Sequence, residues 1–409
     1  MEVYILDRNY EIVGLIDEAE SVLWDKKFND IGESEIYIPC NEENLALLKI
    51  GHYLYRYDDD MFCKIESVEI ETDVEDGDYI IATAKDICKI LSGRVVRWQI
   101  VYSGTVAGFV QKVLVDNVIN PAQAQRKISN FTIDTSNFSE LTDTIDVSAF
   151  TEDLLQLILS ACKSSNFGFR VSFDMETRRL VFRLYKGKNK ASATGEEYVE
   201  FSPQFSNILS SNYKEDDGGF KNVAYVGYIG IDELVHLLSV FKGAAEPQGE
   251  ERREVYVDGT GTSRTITYEE LAQMFPTVKK TTTTAEDKTL GEYSITEGGE
   301  KIIVATSEKA NSATGEETEE QITVTDYTYL LLIRTIGQNA LDAANKTQEF
   351  TGEVDTVDTY EYKKDYDIGD IVKVINEYGI EAEARVTAVL ESDDTEDGYQ
   401  CEPTFEYLS

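Results

Sequence analysis

Trp24-Asp25-Lys26-Lys27-Phe28-Asn29-Asp30-Ile31-Gly32-Glu33-Ser34-Glu35-Ile36-Tyr37-Ile38-Pro39 is the stretch on which the fold turns. It reads as a Trp-led strand, a turn at Gly32 and a second strand. The run Ser34 to Ile38 alternates with period two and stops at Pro39, which has no N–H to give to a ladder. Gly32 permits the tight turn, and Trp24 supplies a bulky core anchor. Working outward, Ile65, Val68 and Ile70 and then Tyr79-Ile80-Ile81 flank the acidic turn Glu75-Asp76-Gly77-Asp78, a hairpin pattern. A short helix after Asn41 is expected to bury Leu45 and Leu48, and a helix over 84–91 to close the segment. Residues 1–92 thus predict a small N-terminal β-barrel.

The pattern changes over 93–210, an α+β middle domain. Val106, Phe109, Val110, Val113 and Leu114 fall on one face of a helix, with Ser103 or Thr105 placed to cap it. A second helix follows Thr151, with Glu152 and Asp153 at its positive end and Leu154, Leu157, Ile158 and Ala161 on its apolar face. Strands are expected over 167–173 and 180–185. Residues 211–259 and 326–409 return to strands, at 222–228, 253–257, 351–357, 371–375 and 384–390, and read as a second β-barrel with one helix from Asp326 to Lys346. Residues 260–325 read as a protruding, partly mobile insertion, in which Tyr293-Ser294-Ile295 and Lys301-Ile302-Ile303-Val304 pair as a hairpin. The fold class is therefore β-rich α+β. The fragments Ser192 to Glu197 and Ser312 to Glu317 match residue for residue, too briefly for a structural repeat.

At 409 residues the chain exceeds one typical core, and its 42% hydrophobic content is enough to bury several. With 24 Tyr against 2 Trp and 6 Pro it suits sheets with broad contact faces. The net charge of −39 repels phosphate, which disfavours specific nucleic-acid or anionic-membrane binding and predicts a solvated acidic surface. Cys40, Cys63, Cys88, Cys162 and Cys401 are odd in number, widely spaced and without a Cys-x-x-Cys pair. That argues for buried small hydrophobes in a reducing compartment, against a disulfide framework or zinc site. The opening residues lack a cationic stretch before an apolar core, so no secretory leader is expected. The run Leu330 to Ile333 ends at Arg334, far short of a membrane span.

Catalytic patterns are missing. The two histidines, His52 and His236, are far apart in sequence, and no zinc-protease, nucleophile-elbow, Walker or dinucleotide motif occurs. Gly259 to Arg264 lacks the Lys and the helix start of a phosphate loop. Asp393-Asp394-Thr395-Glu396-Asp397-Gly398 opens like a calcium loop, but its twelfth position is Thr404 in place of the bidentate Glu. No catalytic residue, cofactor or metal site is assigned.

The opening stretch resembles the strand-turn-strand of siphophage tail-hub proteins. Tyr362-Lys363-Lys364-Asp365-Tyr366-Asp367-Ile368-Gly369-Asp370-Ile371-Val372 is similar to that family's C-terminal segment, followed by a hairpin and Ala384 to Val389. Leu91 to Val96 and Arg252 to Asp258 also resemble family elements, in the expected order. The matching structural residues are Trp24, Gly32, Pro39, Tyr366, Gly369 and Asp370. The resemblance implies two tail-tube-like barrels per chain and a homotrimer that caps the tail tube at the virion's tail tip. It implies a distal tail or tube protein above, a tip or fibre protein below, and a channel for DNA or the tape-measure protein. It also implies assembly in the host cytoplasm. Two other readings compete: a carbohydrate-binding adhesin, since Tyr-rich β surfaces suit sugars, and a wall-hydrolysing enzyme of the tail tip.

Overall fold

The computed structural model describes residues 1–408 except 74–76, 150–151, 193–196, 206, 285–287, 311–320, 355–359, 377, 380 and 396–397. The paired fragments at 192–197 and 312–317, the Glu75-Asp76 turn, the Thr151 helix start and the middle of the 393–398 loop fall wholly or partly outside the described residues.

The N-terminal part carries strands Val3–Leu6 (β1), Ile12–Ile16 (β2), Ser21–Lys27 (β3) and Glu33–Pro39 (β4), then helix Glu42–Leu47 (α1). Strands Tyr53–Tyr55 (β5), Cys63–Asp73 (β6) and Gly77–Asp86 (β7) follow. Asn41 caps α1 by accepting the Asn44 N–H at 2.8 Å. The helix is too short to turn a full apolar face inward: Leu48 is buried, but Leu45, expected inside, is exposed. The helix expected over 84–91 is also displaced. Ladder bonding carries β7 on to Asp86, and only a tight 3-10 turn, Ile87–Gly93, follows.

The middle part contains Ile100–Thr105 (β8), Val106–Leu114 (α2), Phe131–Ile133 (β9), Thr144–Ala149 (β10), Leu154–Ser164 (α3), Gly168–Asp174 (β11) and Arg179–Tyr185 (β12). All five residues read as the α2 face are buried, and Thr105 caps the helix through the Gly108 N–H. Asp153 caps α3 by accepting the Gln156 N–H at 3.1 Å.

Next come Glu200–Phe201 (β13), Ile208–Asp216 (β14), Val223–Ile229 (β15), Val235–Phe241 (β16), Glu254–Asp258 (β17), Thr265–Ile266 (β18) and Tyr268–Met274 (α4). Lys279–Thr284 (β19), Lys288–Glu297 (β20), Glu300–Ala310 (β21), Gln321–Val324 (β22) and Asp326–Ala343 (α5) complete this region. The expected hairpin is present, with Ser294 opposite Ile303 and Ile295 opposite Ile302. Two expectations change. Strands β15 and β17, read as part of the second barrel, pair in a separate three-stranded sheet, β16-β15-β17. The 260–325 insertion does not simply protrude. Its five-stranded sheet shares one core with α5 and β15, built from Tyr293, Val304, Ile322, Leu332, Ile333 and Val226 among others. The reason is burial: these alternating strands have an apolar face that must be covered.

The chain ends with Thr347–Val354 (β23), Ile371–Ile375 (β24), Glu381–Asp394 (β25) and Gly398–Tyr407 (β26). These join the N-terminal strands in one sheet of order β14-β23-β26-β25-β3-β4-β7-β6-β5-β1-β2, with β24 also on β25 and β13 on β24. Among the described residues no strand path closes on itself, so two separate closed barrels are not seen. The edges that closure would use, β3 and β25, pair with each other from Ala388–Lys27 to Asp394–Ser21. Strand β25 serves both halves. Its first residues pair with β24 and its last with β3, and a bulge between Val386 and Ala388 marks the change of partner. Each half keeps its own core. Val22, Trp24, Ile36, Ile65 and Ile80 belong to one, and Phe28, Phe201, Tyr366, Val386 and Phe405 to the other.

Candidate functional site

The place where the two ends of the chain meet is built outward from β3. Its inward side chains are Val22, Trp24 and Lys26, followed by Phe28 just past the strand, and all four are buried. Period-two alternation thus lays one face across two cores: Val22 and Trp24 in the first, Phe28 in the second. Lys26 falls between them, on the inward register, where a charge must find partners.

It finds them in the segment 56–60, which is itself tied to the C-terminal region. Lys26 Nζ lies 3.0 Å from both Asp59 and Asp60. The fully buried Asp59 carboxylate also accepts the Trp24 indole N–H at 3.2 Å and the Met61 N–H at 2.7 Å, and pairs with Lys363 at 2.6 Å. Arg56 stacks over the Trp24 ring at 5.3 Å and pairs with Asp58 at 2.7 Å and with buried Glu391 of β25 at 3.2 Å. Arg170 of β11 pairs with Asp60 and donates to the Tyr185 hydroxyl. Residues from the N-terminal, middle and C-terminal parts therefore share one ion network, with Lys26, Arg56, Asp59 and Glu391 buried at its centre.

Burial alone would neutralise these groups, and the network opposes it. Desolvation pushes the Asp59 carboxyl up, but the Lys26 and Lys363 ammoniums outweigh it and hold it well below the usual carboxylate range. Desolvation pushes Lys26 down, yet Asp59 and Asp60 leave it raised overall. Removing one member would strand the others as buried charges.

A second contact seals the same junction beside Phe28. Gly369 adopts φ +92°, and a Cβ there would sit 2.5 Å from the Phe28 ring. A Cβ on Gly187 would meet the Gly369 carbonyl at 1.9 Å, so backbone packs on backbone at this point. Asp370 fixes the approach by accepting the Lys188 N–H at 2.7 Å and the Asp367 N–H at 3.0 Å. Arg385 donates to the Gly369 carbonyl at 2.7 Å and lies over the Phe28 ring at 5.1 Å.

The structure brings Trp24, Gly369 and Asp370 to this junction. Tyr366, also buried, stacks edge-on to Phe201 at 5.3 Å in the C-terminal core. Gly32 serves close packing nearby, since a Cβ there would lie 2.6 Å from the Asp25 carbonyl and 2.7 Å from Met61. Pro39 is exposed at the far end of β4, away from the junction. Sequence reasoning missed Lys26, Arg56, Asp59, Asp60, Arg170, Lys363 and Glu391. The one usable signal was Lys26, which keeps inward register with Val22, Trp24 and Phe28.

His52 Nδ1 lies 2.8 Å from the Leu47 carbonyl, and exposed His236 pairs with Asp232 at 2.9 Å. All five cysteines are free, and burial raises the thiols of Cys63, Cys88 and Cys162, the opposite of nucleophile activation. Among the described residues no group of three or more His, Cys, Asp or Glu is arranged to hold a metal ion, and no helix is long and apolar enough to cross a membrane.

Three solved structures are similar to this chain at low sequence identity. A tail protein from Neisseria meningitidis MC58 is similar at 12% identity and TM-score 0.49, covering 99% of this chain and 95% of that one. Prophage tail protein gp18 from Listeria monocytogenes EGD-e is similar at 13% identity and TM-score 0.44, covering 99% and 94%. A 43 kDa tail protein of prophage MuSo2 from Shewanella oneidensis has 10% identity and TM-score 0.46, covering 99% and 98%. No curated protein sequence matches. The family model described as Siphovirus ReqiPepy6 Gp37-like protein matches residues 2–405, so the chain belongs to that siphovirus family.

Proposed function

We propose that this tail protein is the hub of the tail tip: three copies close into a ring that caps the tail tube. Each copy contributes two β halves, so a sixfold tube above is adapted to a threefold tip below. The observation that carries the reading is the β3–β25 ladder, which holds two strand-rich halves side by side, each with its own core. A ring that alternates such halves needs them fixed relative to each other, and the buried ion network does this. Its role is structural, without catalysis.

The ring would meet a distal tail or tube protein on one side and a tip or fibre protein on the other. Its channel would pass DNA or the tape-measure protein, and the net charge of −39 suits a wall along which DNA slides without sticking. Assembly takes place in the host cytoplasm. Sedimentation of the purified chain, alone and with its tube-side neighbour, tests the stoichiometry. Three copies per complex support the reading; a monomer or dimer under both conditions overturns it.

A further inference from the structure

The connector from the Ile87–Gly93 turn into β8 carries Arg94, Val95, Arg97 and Trp98, and Arg126 lies against it from the segment between α2 and β9. Arg126 donates to the Val95 carbonyl at 2.7 Å, and Arg94 donates to the Arg126 carbonyl at 3.2 Å, so the two segments are tied together. Arg97 lies 5.6 Å over the Trp98 ring. Trp98 is 75% exposed and Val95 48%, which leaves an apolar area in water among cations. These cations are not neutralised within the chain. Among the described residues no carboxylate pairs with Arg94, Arg97, Arg126 or the adjacent, exposed Lys127. Partial desolvation lowers the Arg126 guanidinium, and Arg97 and Arg94 lower it further with no carboxylate opposing them. Acids on adjoining segments are engaged elsewhere: Asp153 caps α3, and Asp116 pairs with Lys112 at 3.6 Å. Desolvation raises the Glu152 carboxyl with no cation offsetting it.

A face of the opposite charge lies on the N-terminal sheet. With Ile36, Ile38, Ile80 and Ala82 turned inward, the alternate side chains of β4 and β7 point out. Rows run across three strands: Tyr37, Ile81 and Glu69 in one, Pro39, Tyr79 and Glu71 in the next. The Tyr37 and Tyr79 rings stack at 4.6 Å. Glu69 and Glu71 are exposed on β6, and among the described residues neither has a cation partner. The patch offers unpaired guanidiniums around an open indole; this face offers unpaired carboxylates beside stacked phenols.

We propose that the patch of Arg94, Arg97, Arg126 and Trp98 docks on the β4-β7-β6 face of a second copy of this chain. The guanidiniums meet Glu69 and Glu71, and Trp98 lies against the Tyr37 and Tyr79 rings. Copies that each carry −39 repel one another, so a contact between them needs unneutralised cations on one side. Arg and Trp are also the side chains that most often anchor protein interfaces. A nucleic acid would extend past the patch and meet the acidic remainder of the surface. Because the two faces differ, the contact is head-to-tail and can close a ring. It names the copy-to-copy surface and rests on the multiple copies of the hub reading, not on their number.

The test follows the full chain by sedimentation, with acrylamide quenching of tryptophan fluorescence as the local readout. The chain has 2 Trp and Trp24 is fully buried, so quenching reports Trp98. Self-association is expected, with Trp98 protected in the associated form. Arg97→Glu with Lys127→Glu weakens it by about thirtyfold or more, and Glu69→Lys with Glu71→Lys does the same. The chain carrying all four reversals regains association to within about tenfold of wild type. Lys288→Glu with Lys301→Glu, the same charge change at cations that already pair with Glu308 and Glu292, leaves it within about twofold. Should a reversed variant fail to fold, Trp98→Ala is read in its place, with a loss of about tenfold or more. Association without protection of Trp98, or undiminished in the reversed variants, overturns this contact and leaves the hub reading standing. A chain that is monomeric at every concentration also overturns it, and the hub is then judged by sedimentation with its tube-side neighbour. A dimer with Trp98 protected supports the contact and counts against the ring of three.

Discussion

The chain makes two kinds of internal contact, and they are built differently. At the β3–β25 junction the halves share a backbone ladder, an ion network with a buried centre and glycines packed against Phe28. Where α5 meets the middle part, at β10 and α3, no strand pairs across among the described residues, and a cleft of about 780 Å³ runs between them, lined by Ser148, Ser160, Leu157, Phe275, Thr335 and Gln338 among others. The first contact is held by a ladder and by charges buried at its centre; the second is an open cleft with mixed polar and apolar walls. A protein that must hold two halves in register, while carrying an appended α/β unit, needs rigidity only in the first.

Substitution at the junction should therefore cost most. Lys26→Met leaves Asp59 and Asp60 short of a partner inside the protein and should cost about 3–5 kcal/mol in chemical denaturation. A loss under about 1 kcal/mol would mean that the network is not a lock. Next in size is a glycine pair. Gly369→Ala combines φ +92° with the Phe28 contact, whereas Gly243→Ala in the appended unit has φ +88° and open space around its Cβ. The first should cost about 2–3 kcal/mol and the second about 1 kcal/mol, the backbone term alone. Equal costs would remove the packing argument.

The pH response sharpens the contrast from another side. Asp86, at the margin of the N-terminal core, caps the turn at Cys88, and burial pushes its carboxyl up to about 6. A raised folded pKa adds stability below the unfolded value, and that increment is lost as pH rises through about 6. Asp59 acts oppositely: its lowered pKa stabilises above the usual carboxylate range and is lost as pH falls through its folded value. Between about pH 4 and 6 the Asp86 contribution should fall by roughly 2 kcal/mol as pH rises, read as the difference in slope between wild type and Asp86→Asn. An unchanged slope in the variant would assign it to another group. The smallest effect belongs to the appended unit. Arg264 lies 3.9 Å over the Tyr329 ring and pairs with Asp326 at 2.6 Å. Because that pair is partly exposed, Arg264→Ala should cost about 1 kcal/mol or less, with faster amide exchange confined to α5 and its sheet.

What was legible in the sequence follows the same division. Val106 to Leu114, the strands on either side of Gly32 and the 293–304 hairpin could be read because their apolar spacing matches the local period. The junction could not. Asp59 and Glu391 look like surface residues in any local window, and only long-range pairing buries them. Strand β16 was missed for the converse reason: Val235 and Leu237 are apolar but exposed, so their burial says nothing about the strand. Grouping β15 and β17 with the C-terminal strands failed because strand content does not say which edge a strand joins.

Electron microscopy of assembled tails would count the copies and locate both halves of each chain. The account predicts three copies of this chain at the end of the tube, with six β halves alternating around the axis and β3 paired to β25 inside each copy. Density showing a different copy number, or the two halves of one chain separated, would contradict it.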